Sequence, residues 1–166
     1  DGLKETSRKI LFGCLKRNLI GSKFEIKVSQ LSGYISEHSA YHHGEMSLQT
    51  TIINMAQDYV GSNNYSYLIP SGQFGTRLQG GKDSASPRYI FTYLNKNIRT
   101  LFNAKDDKIY KYRDDDGTSI EPTYYAPCIP MILVNGSHGI GTGFSCHIPN
   151  HNIKEVIKIT KKINKW

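Results

Sequence analysis

The sequence predicts an α+β fold, and two features of the chain support this class. Apolar residues recur at helical spacing in three segments before residue 60. Short segments rich in strand-forming residues, separated by glycine, proline and aspartate, follow these helical segments. The chain has 166 residues, which is enough to bury the core of one domain or of one domain and part of a second.

The three predicted helices occupy the first third of the chain. They cover residues 5–18, 27–39 and 45–59, and the apolar repeat is strongest in the third of them. A glycine-punctuated β segment then follows, which includes residues 74–91. This order is typical of a winged helix, a variant of the helix-turn-helix that normally binds duplex DNA, and the β segment would be the wing.

The second half of the chain is predicted to contain strands and one more helix. Residues 90–94 are rich in strand formers, and residues 108–113 and 118–121 are predicted to be two strands joined by an Asp-Gly turn. The apolar run 127–134 is bounded by prolines and is predicted to be a buried strand. Residues 151–166 carry apolar side chains on one side and lysines on the other, which predicts a helix.

Charge and cysteine content limit the kinds of partner and compartment. The chain has 21 Lys+Arg against 14 Asp+Glu, a net charge of +7, which favours an anionic partner, although a lysine-rich soluble protein can have the same totals. Three widely spaced cysteines without a CxxC pair indicate free thiols in a reducing compartment. We find no signal peptide and no apolar run long enough to cross a bilayer, and we expect the chain to be a piece of a longer protein.

Basic residues and glycines surround Tyr89 within residues 74–91. Glycine allows a backbone to approach a ligand closely, and the side chains of Arg77, Lys82 and Arg88 attract phosphate. A phenol has a reference pKa of roughly 10, so a tyrosine nucleophile needs cations nearby. Arg88 is the candidate for this role and for stabilising charge at phosphorus. Taken alone, an Arg-Tyr pair is more often a half-buried tyrosine beside a solvated arginine.

A histidine cluster between the second and third helices has more than one interpretation. His38, His42 and Glu45 are residue types that bind zinc, but a glycine interrupts them and no cysteine lies nearby. Simple capping of a helix by histidines is a second interpretation.

Two other motifs suggest ligands that the residues do not favour. The aspartates at 114–116 invite a metal, but consecutive aspartates at a hairpin tip point in different directions, which favours a solvated turn. The glycine-rich segment 135–143 suggests nucleotide binding, but it lacks the Gly-Lys-Ser/Thr ending of a phosphate loop.

Five motifs, in order along nearly the whole chain, resemble the type IIA DNA topoisomerases in the form found in eukaryotic topoisomerase II. They are Asp-Gly-Leu-Lys at 1–4 with Arg-Lys at 8–9, Ala-Tyr-His-His-Gly-Glu at 40–45, Val-Gly-Ser-Asn-Asn at 60–64, Phe-Gly-Thr-Arg at 74–77 with Gly-Gly-Lys-Asp-Ser-Ala-Ser-Pro-Arg-Tyr-Ile at 80–90, and Asn-Gly at 135–136 with Gly-Ile-Gly-Thr-Gly at 139–143. Glu-Thr-Ser at 5–7 departs from the Pro-Gly-Gln usual in that family, and it adds a charge that phosphate repels.

The resemblance implies a role for each matching residue. Tyr89 would be the nucleophile that joins the protein to a 5′ phosphate of DNA, with Arg88 as its catalytic partner. The DNA-binding residues would be Lys4, Arg8, His42, His43, Arg77, Lys82 and Ile140. Of these, Ile140 would sit in a loop and wedge between base pairs. No metal ligand is assigned to this chain.

The resemblance also implies the wider organisation. Residues 1–102 would be the winged-helix domain and residues 103–166 the beginning of an α/β tower domain. Two protomers of a nuclear homodimer would cut opposite strands of double-stranded DNA, and a second duplex would pass through. Mg2+ and ATP would bind to domains outside this chain, so we expect the isolated chain to bind DNA but to cleave it very poorly. The alternatives are a non-catalytic winged-helix module and a zinc-dependent hydrolase.

Overall fold

Three helices form the first part of the fold. The computed structural model describes residues 1–163. Its first helices are α1 (Glu5–Lys16), α2 (Val28–His38) and α3 (Glu45–Ala56), which pack against one another and confirm the three predicted helices. The third helix ends at Ala56 rather than at residue 59, because Gln57 has an extended backbone and its side chain bonds to a distant loop.

A three-stranded antiparallel sheet lies beside these helices. Its strands are β1 (Ile26–Lys27), β2 (Leu68–Ser71) and β3 (Phe91–Leu94), in the order β1-β3-β2, and a short 3₁₀ helix, Ser22–Phe24, precedes β1. The register pairs Leu68 with Leu94 and Ser71 with Phe91. The strand predicted at 90–94 is therefore confirmed, and the basic segment after residue 71 is the long connection between β2 and β3.

A helical turn and a hairpin follow the sheet. Helix α4 (Ile98–Leu101) and a 3₁₀ helix, Ala104–Lys108, lead into β4 (Tyr112–Asp115) and β5 (Thr118–Pro122). The two residues between the strands both have positive φ, 49° at Asp116 and 81° at Gly117, as a tight two-residue hairpin turn requires. The predicted strand pair and its Asp-Gly turn are confirmed, with the first strand starting later than expected.

The strand predicted at 127–134 is wrong. Residues Met131–Asn135 instead form a short helix, α5, which starts directly after Pro130. Proline has no N–H to donate, so the two prolines that bound the run keep its start out of a strand ladder, while proline before the first helical turn costs nothing. A short apolar run does not by itself distinguish a buried helix from a buried strand.

The glycine-rich segment after α5 is a β-hairpin rather than an open loop. Its strands are β6 (Ser137–Gly141) and β7 (Phe144–Ile148), so Ile140 lies in a strand opposite Ser145. The expectation of a loop around Ile140 is therefore wrong. The residues of the two strands pair one by one despite the glycines. Two strands joined by a turn differ from the strand–loop–helix unit that binds a nucleotide phosphate.

The last helix and the core complete the fold. Helix α6 covers Ile153–Ile163, which confirms the predicted helix as far as residue 163; residues 164–166 lie outside the described part. One hydrophobic core contains residues from both predicted domains, including Ile10, Phe102 and Val156. The α+β class is confirmed, and the boundary between residues 102 and 103 stays a prediction. Over residues 1–163, we find no helix with the length and apolarity needed to span a membrane.

Candidate functional site

Tyr89 lies on a short turn that the start of α2 holds in place. The backbone N–H of Ser29 donates to the carbonyl oxygen of Pro87 at 3.1 Å, and the N–H of Val28 donates to that of Ile90 at 3.0 Å. These are donors of the first helical turn, which have no partner within the helix. They fix both sides of Tyr89, whose side chain is 69% exposed.

A glycine on the neighbouring strand end allows this turn to approach the sheet. Ile90 is fully buried and anchors the turn in the core. Gly72 packs against it with a φ of 116°, and a Cβ at residue 72 would come within 2.9 Å of the Cγ2 of Ile90. Only glycine combines this backbone conformation with this close contact, so Gly72 sets the position from which Tyr89 projects.

Arg88 faces the same side of the turn as Tyr89. Its guanidinium carbon lies 5.6 Å from the centroid of the Tyr89 ring, and its Nε donates to the Oγ of Ser86 at 3.4 Å. A guanidinium within about 6 Å of an aromatic ring is attracted to the ring. The structure therefore holds an exposed positive group beside the exposed phenol, as the sequence predicted.

The basic loop before Tyr89 is closed by one carboxylate. Asp83 accepts two hydrogen bonds from Thr76, one from the backbone N–H at 2.7 Å and one from the hydroxyl at 2.8 Å. The backbone donor first, and then the hydroxyl, lower the pKa of Asp83. Arg77 and Lys82 lie on the loop that this clasp closes, and both are exposed to solvent.

Gln57 is a supporting residue that our sequence analysis missed. Its Nε2 donates to the carbonyl oxygens of Phe74 at 2.9 Å and Gly81 at 3.2 Å, so one buried amide binds both sides of the basic loop. A Cβ at residue 81 would lie 2.4 Å from that Nε2, which explains the glycine there. No sequence signal pointed to it, because the predicted third helix included residue 57 and the burial of its amide follows only from the fold.

The motif at 60–64 also supports the site. Asn63 donates from its Nδ2 to the carbonyl oxygens of Asn54 and Gln57, and Asn64 donates to those of Val134 and His151. These bonds tie the end of α3 to the segment that leads into the β6–β7 hairpin. The sequence identified the motif by resemblance, but its hydrogen bonds follow only from the fold.

His42 and His43 lie in the exposed turn between α2 and α3. The Nε2 of His42 is 3.5 Å from the Oδ2 of Asp115, and the ring of His43 packs edge-on against the buried Tyr41. This turn follows the end of α2, whereas the tyrosine turn bonds to the start of the same helix.

The residues of the zinc interpretation, His38, His42 and Glu45, do not form a group that could hold a metal ion among residues 1–163. His38 stacks on Tyr34 with ring centroids 4.0 Å apart, and its Nδ1 lies 2.9 Å from the carbonyl oxygen of Tyr34. Within residues 1–163, no three His, Cys, Asp or Glu side chains are grouped so as to hold a metal ion. His38 therefore contacts its own helix, whereas His42 lies beside Asp115.

The other predicted DNA-binding residues lie in different surroundings. Lys4 is exposed at the start of α1, whereas Arg8 donates from its Nε to Asp1 at 3.3 Å and from its Nη2 to the carbonyl oxygen of Leu3 at 2.9 Å. Arg8 thus binds the first residues of the chain. Ile140 is 83% exposed, so its side chain lies outside the core.

The fold and the site define a class of protein: a basic α+β domain that presents an exposed tyrosine and an arginine on a loop between two strands. Residues 1–165 match the family model for the A-subunit of DNA gyrase/topoisomerase IV, and the chain belongs to this family. The resemblance found in the motifs is therefore confirmed.

Relatives and a solved structure give the same assignment. The chain is 57% identical over 163 residues to DNA topoisomerase 2-alpha of Homo sapiens, covering 98% of this chain and 10% of the relative. It is 59% identical over 167 residues to DNA topoisomerase 2 of Plasmodium falciparum (isolate K1 / Thailand), covering 99% of this chain and 12% of the relative.

The crystal structure of the Plasmodium falciparum topoisomerase II DNA-binding, cleavage and re-ligation domain superposes with a TM-score of 0.93 at 60% identity. The match covers 99% of this chain and 22% of that one. The chain thus spans about a tenth of the length of the curated relatives and about a fifth of the solved domain.

Proposed function

We propose that this chain is part of a type II DNA topoisomerase and that Tyr89 is its nucleophile. The observation that carries the proposal is the exposed phenol of Tyr89 with the guanidinium of Arg88 beside its ring, on a turn fixed by α2. The similar Plasmodium falciparum structure is described as a DNA-binding, cleavage and re-ligation domain, which supports the same activity here.

The proposed reaction is a reversible transesterification. The phenolic oxygen of Tyr89 loses its proton and attacks the phosphorus, the bond from phosphorus to the 3′ oxygen breaks, and the 3′ oxygen takes up a proton. One phosphodiester is exchanged for another, so religation by the reverse step needs no further energy source. The positive charge of Arg88 stabilises the phenolate and the charge that develops on the phosphoryl oxygens.

The proposed DNA surface combines exposed basic groups with one apolar side chain. Lys4, Arg77 and Lys82 are exposed and would contact the phosphate backbone, while Ile140 would enter the base stack and bend the duplex. Arg8 would support this surface from behind, because its guanidinium is bound to Asp1 and Leu3. His42 and His43 would contact a scissile phosphate.

The wider organisation is proposed from the family. Residues 1–102 would be a winged-helix domain and residues 103–166 the start of a tower domain, in a nuclear homodimer that passes one duplex through another. We assign no metal ligand to residues 1–163. Mg2+ and ATP would bind to other parts of the longer protein.

Substitution of Tyr89 by phenylalanine tests the proposal. In the full-length protein, Tyr89→Phe should leave DNA binding unchanged and abolish the covalent complex trapped with denaturant, because the attacking oxygen is removed. Tyr124→Phe is the matched control, since Tyr124 is also an exposed tyrosine, at 60%. Mass spectrometry of the trapped complex should locate the nucleotide on residue 89. If Tyr89→Phe still formed the covalent complex, the nucleophile would lie elsewhere in the full-length protein. This chain would then be a non-catalytic DNA-binding module.

A further inference from the structure

The three consecutive aspartates at 114–116 have different surroundings. Asp114 accepts a hydrogen bond from the N–H of Gly117 at 3.0 Å and so stabilises the hairpin turn. Asp116 occupies the turn itself with a φ of 49°. Asp115 extends to a separate segment, where its Oδ2 lies 3.5 Å from the Nε2 of His42. Only one of the three therefore contacts the histidine turn.

The hairpin that carries Asp115 is anchored to the same turn by a buried ion pair. The carboxylate of Glu121 on β5 is completely buried and accepts from the Nζ of Lys9 at 2.9 Å. The same Nζ donates to the carbonyl oxygen of Ser39, at the end of α2. Lys9 thus joins the hairpin to the residue from which the histidine turn begins.

A second cation completes this network. The Nη1 of Arg113 lies 3.2 Å from the other oxygen of Glu121 and 3.3 Å from the Oε1 of Glu5 on α1. A buried carboxylate tolerates burial only when its partners stay in place, so the network allows the hairpin little freedom to move. The hairpin that carries Asp115 is consequently anchored both to α1 and to the end of α2.

We propose that Asp115 is a positioning residue for His42, and this inference rests on the proposed function. A carboxylate beside one imidazole nitrogen orients the ring and leaves the other nitrogen free to act elsewhere. With Nε2 directed at Asp115, the Nδ1 of His42 is the nitrogen presented to a DNA phosphate. The contact between Asp115 and His42 is exposed and therefore weak in the free protein. The buried pair at Glu121 keeps the hairpin that carries Asp115 next to the histidine turn.

The test measures DNA cleavage by the full-length protein carrying substitutions in the hairpin. Asp115→Asn should lower the maximal rate of covalent-complex formation about three- to fivefold, the size expected for one exposed charge pair. The DNA concentration for half-maximal cleavage should not change, and Asp115→Glu should restore the rate. Asp116→Asn is the matched control, because this neighbour is exposed and asparagine accepts the same positive φ.

A double-mutant cycle separates positioning from a general structural effect. If Asp115 acts through His42, then Asp115→Asn should have no further effect in the His42→Gln background. Equal losses in both backgrounds, or the same loss with Asp116→Asn, would overturn the proposal, and so would an unchanged rate in Asp115→Asn. Failure of the assignment of Tyr89 as the nucleophile has a different result, since Tyr89→Phe would then still form the covalent complex.

Discussion

The backbone N–H of Ser29 donates to the carbonyl oxygen of Pro87 across 3.1 Å, and this bond links the first turn of α2 to the turn that carries Tyr89. The donor would have no partner within the helix, so the tyrosine turn satisfies the helix end while the helix fixes the tyrosine. The position of the proposed nucleophile therefore depends on backbone groups and on the buried Ile90. The four predictions below concern this turn, the basic loop, the buried ion pair and the exposed Ile140.

Gly72→Ala should misplace Tyr89. The added methyl group would lie 2.9 Å from the Cγ2 of Ile90, and the φ of 116° is unfavourable for alanine. We expect a loss of about 1–3 kcal/mol in the free energy of unfolding, measured by urea denaturation. The yield of covalent complex should fall further than this loss alone explains. Gly33→Ala is the control: it is helical and, within residues 1–163, has open space around its added Cβ. It should be neutral or stabilising.

The clasp at Asp83 should open in acid. Its folded-state pKa lies below the ordinary value of 3.8 because Thr76 donates two bonds to the charged form. The stabilisation is therefore fully present above that value and is lost as the pH falls through the lower folded-state pKa. Hydrogen exchange or limited proteolysis of residues 76–83 should report this opening. In Asp83→Asn the loop should already be loose at neutral pH and should show no acid transition, while Asp58→Asn, at an exposed position, should behave as wild type.

Breaking the buried pair should destabilise the whole fold. Lys9→Met leaves the carboxylate of Glu121 buried without its closest partner, which should cost about 3–5 kcal/mol in the free energy of unfolding. Combining Lys9→Met with Glu121→Leu should recover much of this loss, because no unpaired charge is then buried. Lys16→Met on the exposed part of α1 should change the stability by no more than about 0.5 kcal/mol. A double variant less stable than Lys9→Met would contradict this account.

Ile140→Ala should reduce DNA bending without affecting the fold. The side chain is exposed, so its removal should change the stability by less than about 0.5 kcal/mol. If it enters the base stack, a methyl group is too short to hold the bases apart, and fluorescence energy transfer across a labelled duplex should show a smaller bend. Ile109→Ala offers a matched control at another exposed isoleucine. An unchanged bend would exclude the wedge role.

The sequence by itself determined the first three helices, the hairpin with its Asp-Gly turn, and the family. Helical spacing and turn residues depend on near neighbours along the chain, so they can be read without knowing the fold. The prediction that Arg88 accompanies Tyr89 is of the same kind, because adjacent residues in a short turn stay close in any fold. The family followed because its motifs occur in the same order along the chain.

The tertiary structure alone decided which groups those elements bring together. Lys9 binds Glu121, Gln57 binds Phe74 and Gly81, and Asp115 lies beside His42, although each pair is far apart in sequence. It also turned Arg8 inward and made 131–135 a helix. Such contacts depend on how elements pack, and a buried polar group takes whichever partner that packing supplies, which no local pattern records.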